Sequence, residues 1–379
     1  MLSFNEFIAE AKTQAPGIQH LEHPADRTFD GRKATHAAIK TLKGVVSSRI
    51  PITRKIDDKM SYQAVRTADG KVGVKYKGAG SSYNFSSAEV DKQHGHKPYL
   101  AEPLKLLHKH LGKVLPDRPG EYQGGYMSGR EHRTTKGGNI SHTPNTISYD
   151  TASSSPEGKK LARSHVSTVI HSELKGEHKT AHPITDTSEF KQHADVHQVQ
   201  HVVSGQERQL GTADKKIING HIKQAQRLIK GHSYHHLAGH TGTLRTHINN
   251  TIRTGEKPTV ASYKAHLGKD YDKKIDAVKL EKTKEAKRAD KAAALAHVDK
   301  NKARFDRTLD IHHHVQSATN HLASSIDSLG SGGFNTAIAG NKSEGEGFVG
   351  GGLKIVNRKG FSAANLAKSD SFKKTKGDM

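Results

Sequence analysis

The chain has 379 residues, and 60 Lys and Arg against 38 Asp and Glu give it a formal net charge of +22. This makes an anionic partner the first expectation, nucleic acid ahead of a membrane surface. Cysteine is absent, which excludes disulfides, thiolate chemistry and Cys-type zinc sites, and no apolar run approaches the roughly 20 residues that a membrane-spanning helix needs. The 28 His add a reserve of positive charge on mild acidification, and 32% hydrophobic residues with no Trp allow a modest core.

In chain order, MLSFNEFIAEAKTQ comes first. Phe4, Phe7 and Ile8 fall at i, i+3, i+4, so a short helix here would be apolar on one face with Glu6 and Glu10 off it. It lacks the basic start and long apolar run of a secretory signal. A helix is predicted after Asp30-Gly31. From Ser48 the period changes to alternation with β-branched residues, giving two or three antiparallel strands with a turn at Ala68-Asp69-Gly70. A helix is expected over 99–114, strands over 120–127 and 139–149, a helix after Ser155-Pro156 and a strand over 166–171. Residues 212–327 are Lys-, Ala-, His- and Gln-rich and helical in period, with LEKTKEAKRADKAAALAHVDKNKARFDRTLDIHHHVQ as the longest helix. After the breaker LGSGGFN a β pattern returns in GEGFVGGGLKIVNRKGFS.

Two weak signals gain weight together. ITRKIDDKMSYQAV sets Lys55 at a strand end with Asp57 two residues on, on the same face if the strand continues. Alone it reads best as a salt bridge. Far downstream, Glu346-Gly347-Phe348-Val349 is followed by a Gly-rich turn, Lys354 and Arg358. In this order they resemble motifs I, IV and V of the covalent nucleotidyltransferase superfamily of RNA ligases, DNA ligases and capping enzymes. HLEHPADRTFDG, EYQGGYMSG, ISHTPNTISYD and GKKLARSHVSTVIH resemble blocks of tailed-phage proteins with such a ligase-like core. The resemblance covers about residues 18 to 205 and 343 to 368.

It implies Lys55 as the nucleophile with Asp57 as its motif partner, Lys354, Arg358 and Lys75 holding the nucleotide, and Glu346 and Glu121 near a metal. ATP and Mg²⁺ are the implied cofactors of an active enzyme, and none is implied otherwise. A lysine attacks phosphorus only when deprotonated, and neighbouring cations favour that form while binding phosphate. The sequence departs from the pattern twice: Asp58 stands where the motif has glycine, and Gln123-Gly124-Gly125 lacks the usual carboxylate after the strand's glycine, with Glu121 four residues away on the same strand face.

MLSFNEFIAEA in turn resembles the capsid-targeting leader of internal head proteins in T-even-type phages, which the prohead protease removes after an Ile-x-Glu triplet. Here Ile8-Ala9-Glu10 implies cleavage between Glu10 and Ala11. The expected organisation is a cleaved leader (1–10), the first part of a ligase-like core (11–211), a basic helical insertion (212–330) and the core's C-terminal strands (331–379). The fold class expected is α+β, antiparallel sheets with flanking helices plus the all-helical insertion. The functional expectation is an internal virion protein, partnered by packaged DNA or other nucleic acid, the head scaffold and the prohead protease, and delivered to the host cytoplasm. Its domain is either an active nucleotidyltransferase or a non-catalytic DNA-binding or host-takeover module on a degenerate ligase-like fold. HSYHH (232–236) and HHH (312–314) suggest a transition metal, but without HExxH or C2H2 spacing they read as exposed helix histidines. The basic residues of the insertion read equally as a solvated helix with i,i+4 pairs and as a surface for non-specific binding to a duplex or RNA backbone, and the two readings are compatible.

Overall fold

The computed structural model describes residues 21–78, 80–203, 205–330, 332–338, 341–342 and 347–360. Helix α1 (Arg32–Val46) leads into β1 (Ile52–Arg54) and the hairpin β2 (Met60–Arg66) and β3 (Val72–Tyr76). That hairpin closes where expected, with Gly70 at φ +82° and its N–H on the Thr67 carbonyl. Helix α2 (Ser87–His94) was not expected, although its signal is present. Ser86 Oγ accepts from the Glu89 N–H and Glu89 accepts from the Phe85 N–H, so two otherwise orphaned donors are satisfied. Helix α3 (Pro98–Leu111) buries Leu100, Leu104, Leu107 and Leu111 along one stripe.

Strand β4 (Gly120–Gly129) is followed by β5 (Thr134–Lys136), β6 (Asn139–His142) and β7 (Ser148–Ala152). The single strand expected over 139–149 is therefore two, because Thr143-Pro144-Asn145 is turn chemistry and the amides after it point elsewhere. Helix α4 (Pro156–Arg163), capped by Ser155 Oγ on the Gly158 N–H, precedes β8 (Val166–Lys175), β9 (Thr180–Pro183), β10 (Val196–Gln198) and β11 (Val202–Val203). Five helices follow: α5 (Thr212–Ile229), α6 (Thr241–Thr254), α7 (Val260–Asp276), α8 (Glu281–Lys300) and α9 (Lys302–Leu329). The longest expected helix is broken at Asn301. Its N–H and side-chain amide both donate to the His297 carbonyl, while its own carbonyl accepts from Arg304 and Phe305. Asn thus ends one helix and starts the next, the competition with the backbone that disfavours it in helix interiors. Short strands β12 (Asn335–Ile338), β13 (Asn341–Lys342), β14 (Phe348–Gly350) and β15 (Leu353–Ile355) complete the described chain.

The protein is mixed α+β and divides into two compact units. Of the described residues, the first unit takes residue 21 and those within 51–207 and 330–348, and the second those within 22–50, 208–329 and 349–360. Residues 349–360, expected with the β-rich part, thus belong with the helices, as does α1. The first unit holds a sheet ordered β10-β8-β4-β2-β3, with β9 on β8, and a second ordered β13-β12-β7-β6-β5. Their pairings are antiparallel except β10 on β8. One face of the larger sheet is the core: Met60, Tyr62 and Ala64 of β2, Tyr122 and Tyr126 of β4 and Ile170 of β8 are buried in one cluster with the α3 leucines.

The second unit packs Leu244, Ile248, Tyr263, Leu267, Val298 and Phe305 into its own core. Histidines join that core, contrary to the exposed reading: His232, His236 and His312 are buried, whereas His235 and His313 are exposed. The Nε2 atoms of His232 and His236 lie 2.9 and 3.0 Å from Thr308 Oγ1. Burial pushes both imidazoles down to about 4, with neighbouring cations adding, and lowers His247 to about 4 as well. These groups therefore add no charge on mild acidification.

The folded pKa values lie below the ordinary 6.5, so the unfolded chain takes up protons that the folded unit refuses. Stability should be full above about pH 6.5 and fall progressively toward about pH 4, as followed by chemical denaturation across that range. Thr308→Val removes the shared partner and should cost about 1–3 kcal/mol at neutral pH in the same measurement.

Candidate functional site

The backbone of Arg54 and Lys55 is gripped from both sides within the first unit. The Arg54 N–H donates to the His201 carbonyl at 2.6 Å and the Lys55 N–H to the Gly347 carbonyl at 2.8 Å. Beneath them the buried Arg54 guanidinium bonds the Gly330 carbonyl at 2.6 Å, pairs with Glu207 at 3.3 Å and stacks 5.5 Å from the Phe348 ring. Lys55 itself is half-buried.

The strand ends at Arg54, so Lys55 and Asp57 do not share a strand face as the sequence suggested. Asp57 turns away into the β6–β7 loop, where its carboxylate accepts from the Thr146 and Ile147 amides at 2.7 and 3.0 Å and from Asn145 Nδ2 at 3.2 Å. The Asp57 N–H donates to the Tyr149 hydroxyl at 2.7 Å. This buried carboxylate holds a loop, which is why the loop's amides are not paired in a continuous strand.

Asp58 takes the other direction. A Cβ built on Gly125 would lie 2.5 Å from both the Cβ and Oδ2 of Asp58, closer than real Cβ contacts come. The Asp58 carboxylate therefore occupies the space that a side chain at position 125 would enter. Its Oδ2 accepts from Ser61 Oγ at 2.8 Å. Asp58 and Gly125 are thus sterically complementary, the acidic side chain filling the space that the glycine leaves open. Gly124 is required beside it for a separate reason, since a Cβ there would strike the Val169 carbonyl and the Tyr62 hydroxyl.

Burial pushes the Asp58 carboxyl above its ordinary pKa, while Ser61, Lys55 and Lys77 oppose the rise. Lys77 is lowered by burial, with Asp58 opposing. His171 lies at the bulge where the β4–β8 register shifts. Burial drives it down to about 3, with His201, Lys77 and Lys55 adding to the effect. The site therefore gathers two amines, one carboxylate and an imidazole held neutral. On the sheet face away from the α3 leucines, buried Gln63 stands opposite both Lys75 and Gln123, and buried Gln123 opposite Ser172.

Lys75 and Glu121 lie together around Tyr83: Lys75 Nζ is 4.5 Å from its ring centroid, and Glu121 accepts from its hydroxyl at 3.2 Å and from Lys179 Nζ at 2.6 Å. Glu121 is thus committed to its own cluster, and Asp58 is the carboxylate found at Gly125. Lys354 and Arg358 belong to the second unit. There Arg358 is buried and bonds Asp26 at 2.8 Å, with Asn249 as a further partner. Burial alone would raise the Asp26 carboxyl, but His312 and Arg358 outweigh it and hold the group far below the usual carboxylate range. The Lys354 amine is lowered by burial and by Arg358. Glu346 and the cleavage residues Ile8, Glu10 and Ala11 lie outside the described residues.

Sequence reasoning passed over Lys77 and His171. Lys77 is signalled by the alternation Lys75-Tyr76-Lys77, which sets both lysines on one strand face, and His171 by a single imidazole in the apolar run VSTVIHSEL. The packing at Gly125 gives a direct test. Gly125→Ala should cost about 1–3 kcal/mol by overpacking against Asp58, and the cost should largely vanish in an Asp58→Gly background. Denaturation midpoints of the four proteins of that cycle measure the coupling.

A family model described as a family of unknown function (DUF6267) matches residues 18–370, taking in residues of both units. No curated protein and no solved structure matches the chain. With most of its length matched, this chain belongs to the DUF6267 family.

Proposed function

We propose that the first unit is a nucleotidyltransferase-like module of a phage virion protein, carrying a nucleotide on Lys55 for transfer to nucleic acid. The observation that supports this most is the Asp58 carboxylate standing over Gly125 in electrostatic reach of Lys55 and Lys77. A carboxylate missing from its expected position has been supplied from another, which is what retention of a site under drift would leave. In the step itself, the Lys55 amine attacks the α-phosphorus of ATP, a P–N bond forms, the P–O bond to pyrophosphate breaks, and the amine's proton passes to water. Lys77 supplies positive charge for the phosphates and disfavours protonation of Lys55. Among the described residues no three His, Asp or Glu side chains are grouped as metal ligands. Magnesium entering with the nucleotide suits one carboxylate, Asp58, together with phosphates and water, and would offset phosphate charge.

The second reading, a non-catalytic DNA-binding or host-takeover protein on a degenerate ligase-like fold, is favoured by one specific observation. Asp57, the motif partner of Lys55, is consumed in holding the 145–147 loop. The virion part of the proposal rests on the leader ending in Ile8-Ala9-Glu10.

Incubating the full chain with magnesium and α-labelled ATP or GTP should give an acid-labile label that survives a denaturing gel. Lys55→Ala should abolish it and Asp58→Asn should reduce it at least about tenfold, a loss of roughly 1.4 kcal/mol in transition-state stabilisation. An unlabelled, folded wild-type chain would overturn the nucleotidyl-transfer reading and leave the second. Mass spectrometry of the protein from virions should find Ala11 as its first residue, and an intact Met1 terminus would contradict the leader assignment.

A further inference from the structure

The basic character of the helical unit is unevenly spent. On α7, α8 and the start of α9 about half of the lysines are paired with carboxylates within the unit: Lys264 with Asp299, Lys291 with Asp272, Lys274 with Asp270, Lys284 with Glu281 and Lys302 with Asp306. Helices α1 and α5 differ. Helix α1 contains no Asp or Glu, and the sole carboxylate of α5, Asp214, is 2.9 Å from His321 Nε2.

These two helices lie side by side and antiparallel. Lys43 Nζ donates to Gln226 Oε1 at 3.0 Å, Arg32 to the His232 carbonyl beyond the end of α5, and Arg208, before its start, to the Ser48 and Ile50 carbonyls after α1. On α1 the positions Lys33, His36, Lys40 and Lys43 are spaced i, i+3, i+7, i+10, one stripe along the helix. On α5 the stripe is Lys216, Lys223 and Arg227, at i, i+7, i+11, with Lys230 at the helix's C-cap. With buried Ala38, Ile39, Leu42 and Val45 of α1 and Ile218, Ile222, Ala225 and Ile229 of α5 turned inward, helical geometry places both stripes on the outward faces of the two adjacent helices. Their cations are exposed except for the half-buried Lys43, and among the described residues none of these lysines and arginines makes an ion pair.

The position missing from the α5 stripe, i+4 from Lys216, is Gly220, and a Cβ there would meet nothing within 4 Å. Glycine in a helix interior is unfavourable, and no packing constraint requires it here. A backbone left bare in the middle of a cationic stripe suits close approach of a ligand.

We infer that the α1–α5 seam is a binding surface for the phosphate backbone of duplex nucleic acid, read without regard to sequence. The inference rests on the nucleic-acid part of the function proposed above and assigns its contact surface. The eleven residues from Lys33 to Lys43 and the fifteen from Lys216 to Lys230 span roughly 15 and 20 Å, so two cationic rows follow a run of phosphates, while the stripes carry no Phe, Tyr or Trp to stack on bases and no apolar face to enter a lipid surface.

The test titrates the full chain with a labelled random-sequence DNA duplex at several salt concentrations, alongside vesicles containing phosphatidylserine. The seam variant Lys40→Glu/Lys223→Glu/Arg227→Glu is compared with Lys264→Glu/Lys284→Glu/Lys291→Glu, an equal charge change on α7 and α8. The seam variant should lose at least about tenfold in affinity, and its salt slope should shrink by about 0.9 for each phosphate contact removed, while the control changes less than about threefold. Equal losses in both variants would reduce the effect to net charge and overturn the assignment, as would unchanged binding by the seam variant or vesicle binding in place of DNA binding. Circular dichroism verifies the fold, and Lys40→Gln/Lys223→Gln, expected to show the same direction at smaller size, serves if charge reversal unfolds the unit. Labelling at Lys55 is read separately, so a failure there with seam-dependent DNA binding intact removes the nucleotidyl-transfer reading alone, whereas absence of DNA binding by the wild-type chain at low salt removes the seam.

Discussion

The contact between Asp58 and the bare backbone of Gly125 is the constraint on which the candidate site depends. A carboxylate can stand there because β4 presents no side chain, and β4 can present none because the acidic group arrives from the β1–β2 connection. Everything around it follows the same close approach: Gly124 yields space to the Tyr62 hydroxyl, which lies 2.8 Å from Thr168 Oγ1, and Thr168 in turn donates to the Gly125 carbonyl at 2.9 Å. The paired glycines let this polar network run across β2, β4 and β8.

Neighbouring acidic residues with opposite fates show how position divides labour. Asp57 is saturated by amides and a side-chain amide, so it organises the loop and has little left to offer a ligand. Asp58 receives one hydroxyl and faces amines, so burial acts on it with less compensation and its proton is held more tightly. A rise for a buried carboxyl against nearby cations marks a site where charge is poised rather than settled.

Charge tells a similar story across the helical unit. Lysines on α7 and α8 face carboxylates one turn or one helix away, and exposed pairs of that kind contribute little to stability while cancelling the field they would otherwise project. Among the described residues, the lysines and arginines of the α1 and α5 stripes make no such pair. The composition of the chain as a whole therefore understates how strongly one surface differs from another, and the buried histidines of the same unit, held neutral by desolvation, contribute to packing rather than to charge.

The sequence by itself determined the elements whose signals are local. The turn at Gly70, the Ser155-Pro156 helix start and the long helical tract all follow from backbone preferences within a few residues. It also displayed Asp58 and Gly125, as separate and unconnected residues. What it did not carry is anything that depends on which distant segment comes alongside. Asn301 reads as one polar residue in a helical period until its bonds to both helices are seen, and the histidines of HSYHH read as surface until Thr308 arrives from α9. Only the tertiary structure decided that Asp58 and Gly125 share one space, that Arg358 is bound to Asp26, and that two basic stripes lie on adjacent helices. The reason is physical: local propensity is set by a residue's own backbone and near neighbours, whereas burial, ion pairing and steric exclusion depend on partners tens or hundreds of positions away.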